Sequence, residues 1–197
     1  MAVSPTHELI DKLHLVKHPE GEPTSLTEYA ALVGYYVETD RQESTVPSPF
    51  VDGNAPRSLS TSIYYLLTAD SPSGVIHMNK STYHVLHQGR AEYTLITPRP
   101  GAPPRIETII MGTNPEKGET RLLLVGTGVW KMSRLLPEDV EDKEKAKAGC
   151  LITEVVVPGF HWEDHKFLTM DGLTDLFKGI DLDEELMCHL ARSVRKA

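Results

Sequence analysis

The chain has 197 residues, 40% apolar and 24% charged, which suits a soluble globular domain able to bury about 70% of its unfolded surface without staples. Lys and Arg number 20 against 28 Asp and Glu, a net charge of −8, which argues against a nucleic-acid surface because phosphate contacts need clustered cations. Two cysteines, Cys150 and Cys188, are too few for a disulfide framework and read as free thiols in a reducing cytoplasm. No run of about 18 apolar residues is present to cross a membrane, and residues 1–15 lack the basic start and apolar stretch of a signal peptide.

The first element in chain order is an amphipathic helix. Ser4 caps it, Pro5 suits its first position, and Leu9, Leu13 and Val16 share a face. His18-Pro19-Glu20-Gly21 is a turn, and a short helix is predicted over Leu26 to Val33 behind Thr24 or Ser25. Gly34 to Thr39 alternates and is aromatic, which favours a strand. Residues 42–56 follow as a loop with an Asp52-Gly53 turn signal. From 57 to 157 the chain reads as β. Ser58 to Thr68 carries Leu59, Ile63 and Tyr65 on one face and Tyr64 on the other. Further strands are predicted at Gly74–Met78, Tyr83–Gln88, Ala91–Thr97, Arg105–Met111, Arg121–Val125, Val129–Leu135 and Cys150–Val157. This spacing suits a sandwich or barrel. Gly89-Arg90 reads as a tight hairpin turn, 98–104 as a stiff hairpin tip, and 137–149 as a solvated loop or short helix. The tail from Leu173 to Val194 is helical by pattern, with Leu182, Leu186, Leu190 and Val194 recurring every four residues. Acidic residues (Asp181, Asp183, Glu184, Glu185) lie near its start and basic ones (Arg192, Arg195, Lys196) near its end, as the helix dipole favours. The predicted organisation is one domain, with a barrel over about 34–169 and a helical extension over 172–195.

Chemistry concentrates in two stretches. His77, His84 and His87 fall within eleven residues. In a regular strand His84 and Thr82 share one face, while Tyr83, Val85 and His87 share the other, so His84 and His87 do not both point inward. The second stretch, Val157 to His165, combines Phe160, Trp162, His161, His165 and two carboxylates. It reads either as an aromatic plug at one end of the barrel or as a local metal site on His161 and His165, for which no third ligand has fitting spacing. Glu38 and Glu154 read as edge charges, and Glu154 equally as an inward group that polarises a histidine.

Taken together, LIDKLHLVKHPEG, GYYVETDRQ, RSLSTSIYYLL, IHMNKS…YHVLHQGRAEYTLI, VGTGVWK and VVPGFHWEDHKF resemble the cupin superfamily, and more closely its DUF985 (Cupin_5) family, over about residues 8–169. The resemblance implies a mainly β, cupin-type antiparallel β-barrel of jelly-roll kind, with an N-terminal helix and a C-terminal helical tail, assembled as a homodimer. Dimer surfaces are expected at edge strands near the chain start and on an exposed terminal helix. The chain departs from the family in the interposed EPTSLTEYAALV (22–33). It also departs from the superfamily's metal-binding pattern. Only His77 fits the first motif, while Thr82 and Trp130 stand where a carboxylate and a histidine are typical.

Three functions follow from this reading. The first is a metal-independent acid–base enzyme, an isomerase, epimerase or cyclase in small-molecule biosynthesis, acting on a metabolite inside the barrel. His77 or His84 is then the base, because histidine titrates in the working range, and Tyr64 or Tyr83 the acid. Arg57 or Lys131 supplies an anionic anchor, Trp130 and Phe160 an apolar wall, and His87, Glu154 and His161 further substrate contacts. Tyr64, Trp130 and Phe160 read equally as core, and His87 as a surface or interface histidine. The second function is a metal-dependent dioxygenase using His77, His84 and a more distant ligand. The third is a ligand-binding barrel without catalysis. No cofactor, nucleic acid or membrane partner is expected.

Overall fold

Alternation of buried and exposed side chains, clearest along Ser81–Gln88, sets two sheets face to face. In the computed structural model, which describes residues 3–18, 33–50, 53, 55–180 and 182–195, the chain order is as follows: α1 (Thr6–Leu13), β1 (Val16–Lys17), β2 (Tyr35–Arg41), β3 (Thr45–Pro47), β4 (Pro56–Ser58), β5 (Thr61–Leu67), β6 (His77–Met78), β7 (Ser81–Gln88), β8 (Ala91–Arg99), β9 (Ala102–Met111), β10 (Leu122–Val125), β11 (Trp130–Arg134), α2 (Pro137–Glu141), α3 (Lys143–Ala148), β12 (Cys150–Val157), β13 (Lys166–Phe167), α4 (Met170–Leu176) and α5 (Glu184–Ser193). One sheet runs β1-β2-β5-β12-β7-β10 and the other β13-β6-β11-β8-β9, and β3 and β4 form a separate hairpin. The fold is mainly β with antiparallel sheets, as in the cupin jelly roll. The sheets pack against each other without closing into one hydrogen-bonded barrel.

The core lies between the sheets. Tyr65, Leu67, Leu86, Leu123 and Ile152 of the first meet Tyr93, Leu95 and Met111 of the second. On the outer face of the six-stranded sheet, α1 lays Leu9, Ile10 and Leu13 over Leu15, Leu66 and Leu151. Pro5 occupies the N-cap with no side-chain cap. Ser4 lies one residue before that N-cap and does not cap the helix, and its backbone N–H donates to Gln88 Oε1 at 3.2 Å. The helix stops at His14, in the left-handed region at φ 55°, so Val16 falls in β1 and is exposed rather than on the helical face. Leu59 is likewise exposed, preceding β5 rather than packing with Ile63 and Tyr65.

Gly89-Arg90 is not a hairpin turn. Strand β7 pairs with β12 and β10, while β8 pairs with β11 and β9, so the turn carries the chain from one sheet to the other. Gly89 sits at φ 75° with its Cα against the Gly149 carbonyl, a conformation and a contact that exclude any side chain. Arg90 then binds the charged excursion that follows β11. Its guanidinium grips Asp139 at 2.8 and 2.7 Å and donates to Glu119 at 3.1 Å, while Lys145 donates to Asp139 at 2.9 Å. The 137–149 segment is therefore two short helices with a buried acid, not a freely solvated loop. Burial alone would raise the Asp139 carboxyl, but Arg90 and Lys145 outweigh it and hold it below the usual range. Asp139→Asn is expected to cost about 1–3 kcal/mol, read as a lower urea midpoint. Because the folded pKa is depressed, the wild-type advantage is present above about pH 3.9 and is lost as pH falls through the folded value.

Among the described residues of 42–56 the loop reading holds except at Thr45–Pro47 and Pro56, which belong to the β3–β4 pair. The predicted turn at 18–21 and helix over 26–33 fall almost wholly outside the described residues, as do Asp52, Asp181 and Lys196. The tail is two helices rather than one, interrupted where Gly179 takes φ 75°. Leu173, Phe177, Leu190 and Val194 cover Ile76, Ile96 and Met132 on the outer face of the five-stranded sheet, and Leu182 and Leu186 pack beside them. No helix among the described residues is long and apolar enough to cross a membrane.

Candidate functional site

A cavity of about 320 Å³ opens between the two sheets at one end. The six-stranded sheet contributes Tyr36, Glu38 and Arg41 from β2, Thr61, Ile63 and Tyr65 from β5, and Glu154 and Val156 from β12. Facing them are His77 of β6, Asn79 just after it, and Ser133 of β11, and Phe160, His161, Trp162 and His165 close the mouth.

The mouth segment is held by dense anchoring. Gly159 N–H donates to Ser58 O at 2.7 Å and Phe160 N–H to Thr61 Oγ1 at 2.8 Å. A Cβ at Gly159 would meet Ser58 and Thr61 side-chain carbons at 2.9 Å, so glycine permits this approach. Beneath it, Asp164 is bound by Arg57 at 2.9 Å and by Lys80, and Lys80 also donates to Gly159 O at 3.0 Å. Burial would raise the Asp164 carboxyl, but the two cations hold it below the usual range. Arg57 is consumed by Asp164 and Glu163, which removes it as an anchor for a ligand anion.

His77 and His84 have different environments. His77 Nδ1 lies 2.9 Å from Val75 O. A carbonyl only accepts, so Nδ1 carries the proton and the neutral ring's lone pair is on Nε2. The His77 ring lies 5.0 Å from that of His165, which also packs against Phe160 and Trp162. His84 is fully buried behind the cavity wall. Its Nδ1 donates to Leu123 O at 3.3 Å, and its Nε2 accepts from Lys131 Nζ at 2.6 Å. Lys131 also donates to Glu154 Oε2 at 2.8 Å, and Glu154 Oε1 lies 3.4 Å from His84 Nε2. Burial first, and the Lys131 charge second, push the His84 pKa down, so the ring is neutral. Burial would raise Glu154, but the Lys131 ammonium outweighs it and holds the carboxyl well below the carboxylate range. The cavity therefore presents an ionised carboxylate braced from behind.

Several sequence candidates lie elsewhere. Tyr83 is exposed on the outer face, because the period-two register that buries His84 turns it out. Tyr64 packs outward beside α1 and edge-on to His87, which bonds Thr153 Oγ1 at 2.6 Å. Neither tyrosine nor His87 reaches the cavity. Trp130 faces the opposite side of β11 from Lys131 and packs under the C-terminal helices, so it forms no cavity wall. Lys131 is spent on Glu154 and His84 rather than on a ligand anion. His77, Glu154, Phe160 and His161 do line the cavity. Glu154 sits on β12, paired there by β5 and β7, so it is not an edge charge, whereas Glu38 lies where β2 is paired by β5 and the two residues of β1 no longer reach. Glu38 is held by Arg41 at 3.0 and 2.7 Å. The lining residues missed include His18, Tyr36, Arg41 and Tyr65, while Trp162 and His165 belong to the stretch read as an aromatic plug, which is where the structure puts them. Alternation along GYYVETDR places Tyr36 and Glu38 on one face and was the available signal for that pair.

The residues present do not fit a cupin metal centre. Thr82 donates its hydroxyl to Lys80 O, Trp130 points away, and the His84 nitrogens are taken by Leu123 O and Lys131. Among the described residues, no three of His, Cys, Asp and Glu converge as a ligand set.

Two antiparallel sheets with a cavity between them are consistent with the cupin jelly roll, and the family follows from sequence. The chain belongs to Cupin_5 of the cupin superfamily (DUF985), whose pattern matches residues 7–168. The uncharacterized protein YML079W of Saccharomyces cerevisiae is 38% identical over 173 residues, covering 84% of this chain and 76% of the yeast protein. A hypothetical protein from Leishmania major superposes with a TM-score of 0.70 at 26% identity, covering 88% of this chain and 93% of that one. Protein SO0799 from Shewanella oneidensis superposes at 0.67 with 19% identity, covering 98% of both chains.

Proposed function

We propose that the protein is a metal-independent acid–base enzyme, an isomerase, epimerase or cyclase, acting on a small organic metabolite held between its sheets. One observation carries this reading. His77, with its lone pair on Nε2, stands on one sheet while Tyr36, Tyr65 and the ionised Glu154 stand on the other, all lining one cavity. A proton removed on one face of a substrate by His77 is replaced from the opposite face by a tyrosine hydroxyl. Glu154 is too weak a base for that step, and it accepts hydrogen bonds that orient the substrate. Phe160 and Trp162, 5.0 Å apart, cover the ligand's apolar face and exclude water. The test is proton NMR of metabolite mixtures in heavy water. Enzyme-dependent deuterium incorporation at a ligand carbon supports the reading. Binding without exchange or turnover would identify a passive binder, and turnover only with added ferrous iron and dioxygen a dioxygenase.

The assembly we propose is a homodimer, located by the outer face of the six-stranded sheet. There Tyr83, Val85, Leu122, Leu124 and Val157 are all exposed and none carries a charge. Register sets Leu122 beside Val85 and Leu124 beside Tyr83, so the patch is continuous, and β10 is the sheet's edge strand. In a chain of net charge −8, an uncharged patch ending in an open edge suits a second copy related by a two-fold axis. The apolar face of α5 is already packed against its own sheet, which leaves the outer face of the six-stranded sheet as the uncovered apolar patch favoured here. In light scattering, wild type is expected at twice the chain mass and Leu122→Glu/Leu124→Glu at the chain mass. A monomeric wild type contradicts the dimer.

A further inference from the structure

We propose that Arg195, in the C-terminal tail, is a positioning residue that sets the His77–His165 pair at the cavity; this rests on the reading of His77 as the base. The tail lies beyond the residues the family pattern matches, which end at 168. Nevertheless it holds the two strands that flank the site. Strands β6 and β13 have two residues each, with His77 opposite Phe167. Strands so short have little pairing of their own to fix them. The tail supplies the missing bonds. Ile76 N–H donates to Ser193 O at 2.8 Å, and Arg195 N–H donates to Leu168 O at 2.8 Å. These contacts fall immediately before His77 and immediately after Phe167.

The side chains continue the link inward. The Arg195 guanidinium lies 4.7 Å from the centre of the Phe167 ring. Phe167 meets His165 edge-on at 4.6 Å, and His165 lies 5.0 Å from His77. A cation on an aromatic face restrains that ring, and each ring here restrains the next. The stack therefore runs from the exposed end of the chain to the proposed base. Displacing a reacting group by a fraction of an ångström is costly to rate, so the link bears on catalysis without Arg195 touching substrate.

The test uses full-length protein with carbon-13-labelled histidine. In Arg195→Ala the ring resonances of both His165 and His77 are expected to shift while that of His87, outside the stack, stays in place. Arg195→Lys, which keeps a cation over Phe167, returns them toward wild type. Arg195 is exposed, so the variant leaves the buried Leu190 and Val194 in place. Phe167→Leu reads the same link from the other side and is expected to move the same two resonances. In the exchange assay Arg195→Ala is expected to lower the rate about tenfold, with Lys restoring most of it. Unmoved His165 and His77 resonances in Arg195→Ala would overturn the proposal. Because the spectra need no turnover, that result is distinct from an active His77→Gln, which would instead remove the base.

Discussion

Lys131→Met is expected to destabilise the fold by about 3–5 kcal/mol, the scale for removing one partner of a buried ion pair. Lys131 and His84 are almost wholly buried, and Glu154 reaches solvent only through the cavity. With the ammonium gone, Glu154 keeps its burial but loses the cation that outweighs it, so its pKa rises. Denaturant unfolding of Lys131→Met, Glu154→Gln and the double variant measures the coupling. The double variant is expected to recover much of the loss, because no uncompensated charge remains. Additive losses would show that Lys131 and Glu154 do not act as a unit. The pH dependence has a definite sign. His84 has a depressed folded pKa, so its contribution is complete above about pH 6.5 and declines below it, as the unfolded chain takes up a proton that the folded ring refuses. Glu154, also depressed, adds stability above about pH 4.3 that is lost only in stronger acid. Wild type is therefore expected to lose stability between pH 7.5 and 5.5, and His84→Gln to lose less over that interval.

His77→Gln is expected to lower the exchange or turnover rate by about 10²–10⁴, the usual contribution of a general base, while the unfolding midpoint moves little. Glutamine keeps a donor for the Val75 carbonyl but has no titrating lone pair in place of Nε2. Tyr65→Phe and Tyr36→Phe then identify the acid. The tyrosine whose loss lowers kcat at constant KM is the one that acts in the transition state. By contrast, Tyr83→Phe and Tyr64→Phe are expected to leave the rate unchanged, since both side chains lie on the outer face.

The legible parts of the sequence were those governed by period. Alternation along 81–88 separated His84 from His87, and the order of strands from 61 to 157 was readable from apolar runs between Gly and Pro. The four-residue recurrence of leucines found the buried face of the tail. What period does not carry is sheet membership. Gly89-Arg90 has the composition of a hairpin turn, yet it crosses between sheets, because its neighbours pair with strands distant in sequence. The candidate site depended on that long-range pairing. Lys131 and Glu154 are 23 residues apart, and only the packing of one sheet on the other shows that each is spent on its partner. Tyr64 and Tyr65 are adjacent in one strand, so choosing between them required knowing which face α1 covers. His165 looked like half of a metal pair with His161, but the turn over Trp162–Asp164 sends it inward to stack on His77 and leaves His161 at the rim.

The measurement that bears most directly on the central claim is the turnover of wild-type protein stripped of metal with a chelator, run beside His77→Gln. Acid–base chemistry between the two sheets predicts full turnover by the stripped wild type and a fall of about a hundredfold or more in the variant. Loss of wild-type turnover on stripping, restored by a divalent metal, would contradict it, as would a His77→Gln protein that turns over at the wild-type rate.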